Sequence, residues 1–375
     1  MCRSIYTYDK KKIYIPKVNL NHTNKTLTIP LLEMEKEEMI ELGKKGIKDE
    51  NGNFRGPLSL KLLYVEKIKD YFKKEGRNPT DIELESIAQT WSEHCRHTIF
   101  ANPLDEFSGG IFKDCIRKAT NEIRKKKGKD DFCVSVFTDN AGGIVFDENW
   151  VVSDKLETHN SPSALDPLGG AMTGIVGVNR DALGYGLGSK PVINRYAFCT
   201  GDPEKTIDLY RGQDKKNAAL QPKTILEGVV EGVEQGGNQS GIPTPQGTVY
   251  FDDRYAGKPL VFAGTVGLIP KIINGKDSSE KKAQSGDHII MVGGLIGLDG
   301  IHGATFSSEA LDGESPATAV QIGDPITQKK LSDTVVRELR EKDMISSVHD
   351  CGAGGISGTV GELGMEAGGF RVYLD

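Results

Sequence analysis

Glycine narrows what this chain can become more than any other residue does. It fills 45 of 375 positions and is clumped at 169–188, 228–247, 293–303 and 352–369. A glycine backbone reaches φ > 0 and lets other groups come close. Each clump therefore predicts either tight turns or a stretch of backbone lining a ligand such as a phosphate.

The length allows two or three domains. At 37% hydrophobic and 27% charged residues, the chain can bury a core. A net charge of −6 and a pI near 5.8 argue against wholesale electrostatic binding to nucleic acid or an anionic membrane. The basic run Arg124-Lys125-Lys126-Lys127-Gly128-Lys129 has no interleaved aromatic residues, so it reads as a solvated helix end. No run of about 18 apolar residues occurs, and the N-terminus "MCRSIYTYDKKKIYIPK" has no apolar core, so a soluble cytoplasmic protein is expected. The six cysteines are scattered without a C-x-x-C pair, which is neither a disulfide framework nor a zinc pattern.

Residues 1–56 read as a polar extension or linker with one acidic helix, "LLEMEKEEMIELGKKG". Two helices follow in 57–97. One carries Leu58, Leu62, Val65, Ile68 and Phe72 and stops at Gly76. The other opens with Pro79 and a Thr80–Glu83 capping box, and its apolar stripe runs Leu84, Ile87, Ala88, Trp91 and Cys95. Strand-like runs dominate 98–275: "CVSVFTD", "GIVFD", "WVVSDKLETH" and "PLVFAGTVGLI", with a helix at 223–235. After a linker at 271–286, a second unit spans 280–375. Its strands are expected at "DHIIMVGG" and "ISSVHD" and its helix around 327–342. The last residues, "FRVYLD", read as a strand in mid-domain, so an incomplete second unit is expected.

Side chains on a strand alternate faces. A strand over Val151 to His159 would line up Lys155, Glu157 and His159 on one face. Burying three such groups without purpose costs several kcal/mol, on the order of the desolvation of each, so this row is a candidate site. Among the other histidines, His22 and His288 read as inert or structural, and His302 sits in a glycine loop. His349 and Asp350 point to opposite faces of their expected strand, and His97 follows a helix end. His94 lies on an apolar helical face, where a hydrogen-bonded core histidine is the ordinary reading. Glu157, Asp181 and Asp350 each border glycine-rich or irregular sequence, and three converging carboxylates would suit Mg²⁺. Spacing alone does not bring them together. No Walker-type P-loop, G-x-G-x-x-G, G-x-S-x-G or H-E-x-x-H is present.

The stretches "TWSEHCRHTIF", "KLETHNSPSALDPLGGAMTGIVGVNRDALG", "DGIHGATFSSE", "AVQIGDPITQKK" and "HDCGAGGISGTVGEL", in order over roughly 57–375, resemble the formylglycinamide ribonucleotide amidotransferase family, in its synthetase portion. The resemblance implies an α+β fold like that of aminoimidazole ribonucleotide synthetase. An N-domain sheet would pair with a partner's into a barrel-like interface, followed by an α+β C-domain. It implies ATP-dependent conversion of formylglycinamide ribonucleotide to the amidine, with Mg²⁺ and ammonia from a glutaminase subunit or domain. A small accessory subunit, and either a homodimer or a second half, are further implied partners. No glutaminase Cys-His-Glu constellation is visible here.

Carried over by position, the resemblance makes His94 and His159 catalytic, His159 as the proton acceptor. It makes Lys155 and His97 ATP contacts. Thr158, His159, Asn160, Ser161, Arg180 and Gln321 become substrate contacts, and Glu157, Asp181 and Asp350 metal ligands. His97 stands where many relatives carry tyrosine, and Ser161 where most carry a second histidine. Two other readings stay open: a truncated or paralogous binding subunit, and another ATP-dependent synthetase or kinase of the same superfamily.

Overall fold

The computed structural model describes residues 26–91, 98–294, 302–307, 311, 320–352 and 354–371. Near the N-terminus, α1 (Lys36–Lys45) opens on a capping box in which Glu38 reaches back to the Glu35 N–H at 2.8 Å. Helix α2 (Leu62–Glu75) turns Val65, Ile68 and Phe72 inward at helical spacing and ends at Gly76. Helix α3 (Asp81–Trp91) starts on the expected reciprocal pair. Thr80 Oγ1 accepts from Glu83 N (3.2 Å), and Glu83 Oε2 accepts from Thr80 N (2.9 Å). Leu84 and Ala88 face inward as expected. Trp91 instead lies at the surface, edge-on to Tyr64.

The supposed polar extension belongs to this same packed unit. Leu31, Ile47 and Leu58 are fully buried against Val65, Phe72 and Leu84. The apolar residues of this stretch follow no helical or strand period, which is why the sequence reads as a linker. Its backbone is tied to α3 by Arg55 Nη1 donating to Asp81 Oδ2 (2.8 Å) and Leu27 N donating to Asp81 Oδ1 (3.1 Å).

The Glu83 carboxyl is held down to about 2, chiefly by the Arg77 guanidinium and also by the Thr80 groups. A depressed carboxyl stabilises the fold fully above its unfolded value near 4.5, and that stability is lost as pH falls toward 2. Arg77 is half exposed, so the contribution is discounted to about 1 kcal/mol. Glu83→Gln is therefore expected to lower stability by about that amount at pH 7 and by almost nothing at pH 2, as read by urea denaturation at the two pH values. An equal loss at both would remove the ionic origin.

Beyond a π-helical turn (Phe112–Arg117), α4 (Lys118–Lys127) carries the basic run, with none of its residues buried. The central unit then runs β1 (Cys133–Ser135), β2 (Gly142–Val145), β3 (Trp150–Thr158), α5 (Asn160–Leu165), α6 (Pro167–Leu183), β4 (Lys190–Thr200), α7 (Pro222–Ser240), β5 (Gln246–Phe251) and β6 (Leu260–Pro270). The sheet order is β1-β2-β3-β6-β4-β5, antiparallel except for the parallel β4–β5 pair. The sheet is open, with β1 and β5 at its edges.

Helices α6 and α7 cover one face. Ala171, Ile175 and Val178 of α6 and Ile225, Val229 and Val233 of α7 pack on Phe198, Val261 and Ala263. The glycine clumps at 169–188 and 228–247 thus lie largely within helices. The expected turns are met at the ends of the clumps, by Gly186 and Gly188 after α6 and by Gly241 at the left-handed cap of α7. A Cβ on Gly232 would sit 2.4 Å from the Leu168 carbonyl oxygen and 2.9 Å from Ala171 Cβ, so this residue lets α7 cross α6 closely. The Gly169 and Gly170 N–H groups are taken up by Asp166, the α6 N-cap, through its side chain (3.1 Å) and its carbonyl (2.8 Å). They are not offered to a phosphate.

Among the described residues, no helix covers the opposite sheet face. Ile144, Leu156, Ile193 and Tyr250 lie on it, exposed. A short hairpin, β7 (Ile272–Ile273) and β8 (Lys276–Asp277), follows the sheet. The strand expected at "DHIIMVGG" is absent among the described residues, and Ile289, Ile290 and Met291 stand exposed there. Residues 345–350 likewise form no strand, since neither stretch finds a ladder partner. Helix α8 (Pro325–Asp333), prolonged by a π-helical turn (Thr334–Leu339), packs Val335 and Val336 on Leu183. Helix α9 (Gly355–Glu366) closes the described chain.

Candidate active site

Strand β3 ends at Thr158, one residue earlier than expected. His159 leaves the ladder (φ −129°, ψ 56°) to become the N-cap residue of α5. Lys155 and Glu157 therefore share the helix-facing side of β3, while His159 is positioned by a turn. That turn is tied to β6 by His159 N donating to Val261 O (2.8 Å) and Val261 N donating to Asn160 Oδ1 (2.8 Å). Gly174 on α6 makes room for the imidazole, since a Cβ there would lie 3.3 Å from His159 Cβ and 3.4 Å from Ala263 Cβ.

The His159 ring nitrogen Nδ1 is hydrogen-bonded to the Gly170 carbonyl oxygen. A carbonyl only accepts, so Nδ1 carries the proton and the neutral ring has its lone pair on Nε2. Nε2 is thus the nitrogen able to take a proton.

Helix α6 delivers Arg180 and Asp181 from its last turn. The Lys155 ammonium stands 3.5 Å from Asp181 Oδ2 and 3.8 Å from Glu157 Oε2. Asp350 arrives from the loop before α9, its Oδ2 lying 3.9 Å from Arg180 Nε. Asp181 and Asp350 are 15% and 14% exposed at the side chain, against 47% for Glu157. Burial pushes the Asp181 carboxyl up to about 7; the negative charge of Asp350 adds to the rise, and Lys155 and Arg180 oppose it. Burial also raises Asp350, against the pull of Arg180. Two buried acids, one exposed acid and two cations thus meet in one place.

The described residues contain no group of three His, Cys, Asp or Glu side chains already set for metal ligation. Lys155 stands between Glu157 and Asp181, and Arg180 stands beside Asp350. The donor chemistry nevertheless fits a hard divalent cation: all three acids offer oxygen. Burial first, and the charge of Asp350 second, push the Asp181 carboxyl up to about 7, so a bound cation would favour its ionised form.

Gln321 is tethered through its backbone, its carbonyl accepting from Thr173 Oγ1 of α6 (2.6 Å), with its side chain exposed. Thr158 donates its N–H to Glu157 Oε1 (2.9 Å). Ser161, in the first turn of α5, is buried and lines a small cavity with Pro162, Gly303 and Phe306. His94 and His97 lie outside the described residues. Thr173 and Asn140 escaped sequence reasoning. Asn140 Nδ2 donates to Asp350 Oδ1 at 2.6 Å across 210 residues. The polar pair in "TDNAGG", sandwiched between strand-like runs, was the one available signal.

Comparison with known proteins returns a consistent set. Residues 52–97 match the formylglycinamide ribonucleotide amidotransferase linker domain. Residues 138–269 and 284–375 match the N-terminal and C-terminal domains of the AIR synthase related proteins. The chain is 34% identical over 348 residues to phosphoribosylformylglycinamidine synthase subunit PurL of Thermoplasma volcanium, covering 92% of this chain and 40% of that protein. It is 32% identical over 320 residues to the PurL subunit of Thermotoga maritima, covering 84% and 43%. The T. maritima PurL structure complexed with FGAR superposes with a TM-score of 0.58 at 28% identity, covering 82% of this chain and 42% of that one. The same protein complexed with ATP gives 0.53 at 26%, covering 82% and 40%. This chain spans about two fifths of the length of these curated relatives.

Proposed function

We propose, for a chain that belongs to the formylglycinamide ribonucleotide amidotransferase family, that it carries synthetase machinery for the ATP-dependent conversion of formylglycinamide ribonucleotide to formylglycinamidine ribonucleotide. The observation that carries this reading is the meeting of Lys155, Glu157, Arg180, Asp181 and Asp350, brought from three separate segments to one partly buried point, with His159 following directly on the end of β3. Relatives named for the synthase, and a structural neighbour described as complexed with FGAR, supply the substrate.

The chemistry follows from what an amide lacks. Its oxygen is a poor leaving group, so the ATP γ-phosphoryl group is transferred to it while the amide nitrogen gives up its proton. The products of that step are an iminophosphate and ADP. Ammonia, derived from glutamine in a separate subunit or domain, adds to the imidate carbon. The C–O bond then breaks and phosphate leaves the amidine. His159 Nε2 takes the amide proton, with Nδ1 anchored on Gly170. Lys155 and Arg180 hold developing phosphate charge. Glu157, Asp181 and Asp350 would hold Mg²⁺, which when bound neutralises charge on the ATP phosphates. Thr158, Asn160, Arg180 and Gln321 line the substrate side, with Asn160 and Gln321 also fixing the backbone. His94 and His97 join the assignment by likeness alone.

The domain scheme proposed is an N-terminal extension at 1–56, a linker segment at 57–97, a synthetase-like N-domain at 98–275 and a C-domain at 280–375, with described residues of the extension packed onto the linker. The uncovered sheet face, bearing Ile144, Leu156, Ile193 and Tyr250, suits pairing with a second such sheet into a barrel-like interface. No helix among the described residues is long and apolar enough to cross a membrane, and a cytoplasmic site of action is proposed.

The test is calorimetric binding of ATP with Mg²⁺, and of formylglycinamide ribonucleotide, to this chain, alongside ammonia-dependent ADP formation. Micromolar to low-millimolar binding of both ligands supports the reading. Binding of neither at millimolar concentration overturns it. Binding of both without turnover by the chain alone assigns the catalytic step to a larger assembly.

A further inference from the structure

The segment 271–286 reads in sequence as a linker, yet one of its lysines is among the most enclosed charges described. Lys281 Nζ lies 2.6 Å from Asp139 Oδ1, with only 8% and 7% of the two side chains exposed. The same ammonium donates to the Gly184 carbonyl at the end of α6 (2.8 Å), to the Val348 carbonyl (3.0 Å) and to Asn140 Oδ1 (3.2 Å). Asp139 is fixed in turn by the Gly186 N–H on its Oδ2 (3.1 Å). One cation thus ties the β1–β2 connection, the end of α6 and the loop that carries Asp350.

The orientation of Asn140 follows from this. An ammonium only donates, so it faces the amide oxygen; an ionised carboxylate only accepts, so it faces the amide NH₂. With Oδ1 toward Lys281, Asn140 Nδ2 is directed onto Asp350 Oδ1 at 2.6 Å. A Cβ on Gly184 would lie 3.1 Å from both Asn140 Oδ1 and the Asp350 nitrogen, so the three segments already sit in close contact.

We propose that Lys281 and Asn140 are positioning residues that set the Asp350 carboxylate for the cation site across the boundary between the two synthetase-like domains, Lys281 acting by orienting the Asn140 amide. This rests on the reading of Asp350 as a metal-site residue. Neither side chain would touch substrate. Their work is to hold Asp350 at a fixed distance from Asp181 and Glu157, which come from the other domain.

The test uses the whole chain with Lys281→Met and Asn140→Ala, the latter at a half-buried position where loss of fold is less of a risk. Hydrogen exchange of the metal-free protein reads the tether, and Mn²⁺ titration followed by electron paramagnetic resonance, with a non-hydrolysable ATP analogue present, reads the cation site. Both variants should exchange at least about tenfold faster at 346–352, with α7 unchanged, and bind Mn²⁺ at least about tenfold more weakly. Exchange and Mn²⁺ affinity within about threefold of the parent in Asn140→Ala would overturn the proposal. Faster exchange throughout, α7 included, in Lys281→Met would assign that lysine to general stability and overturn its positioning role. Failure of the parent itself to bind Mn²⁺ would sink the metal reading and with it the proposed purpose, while altered exchange at 346–352 would still establish the tether.

Discussion

Asp181→Asn is expected to give a protein that is more stable than its parent in EDTA and severely impaired with Mg²⁺ and ATP. Asp181 is a carboxylate buried beside another, with a carboxyl pushed up to about 7. Placing that charge costs the metal-free fold free energy, which an isosteric neutral amide does not incur. The compensating attraction of Lys155, 3.5 Å away, is shared with Glu157 and survives in part when Asp181 is neutral. A gain of about 1–2 kcal/mol in the metal-free protein is expected, measured by denaturant melts in EDTA at pH 8. The same change removes one of the three oxygen donors proposed for Mg²⁺ and should cost about 10²–10³-fold in Mg²⁺-dependent ATP binding or turnover. A variant that melts earlier than the parent in EDTA would show that Asp181 serves the fold instead. Unchanged Mg²⁺-dependent ATP binding would detach it from the cation.

His159→Ala is expected to lower the rate of ADP formation by about 10²–10⁴-fold, the usual worth of a positioned base. ATP affinity should stay within about twofold of the parent. The imidazole is anchored from Nδ1 to the Gly170 carbonyl, and a Cβ added at Gly174 would lie 3.3 Å from His159 Cβ. Its loss leaves Lys155, Asp181 and Arg180 in place. Gly174→Val offers a second route to the same result, because the added side chain would displace the ring without touching its chemistry. Single-turnover measurements separate the outcomes. A slow chemical step with intact ATP binding supports the base assignment, and equal rates in parent and His159→Ala would remove it.

Much of the helical framework was legible beforehand. Helices α2 and α3 announce themselves through apolar spacing and the Thr80–Glu83 cap, because such signals are local: each involves residues within one or two turns. The misreadings share a cause as well. A glycine clump carries no local mark that says whether the backbone turns or is being approached, so Gly174 reads as a turn or ligand-lining residue when it admits a neighbour within a helix instead. Residues 287–294 have strand composition but no ladder partner among the described residues, and pairing is not a local property. Within 1–56 the described residues look like a linker because their buried side chains, Leu31 and Ile47 among them, are supplied without period.

What the residues settle by themselves is the inventory: the row Lys155-x-Glu157, the imidazole at 159, the acids at 181 and 350, and long motifs that mark the family. What only the tertiary structure decides is their conjunction. Asp181 and Asp350 are separated by most of two domains in the chain, yet they lie close enough for the charge of one to raise the carboxyl of the other. They meet because α6 packs under β3 and its far end receives the loop held by Lys281 and Asn140. Burial supplies the electrostatic character, since the same carboxylates in water would scarcely sense one another. A linear sequence states charge and spacing; distance and dielectric come from the fold.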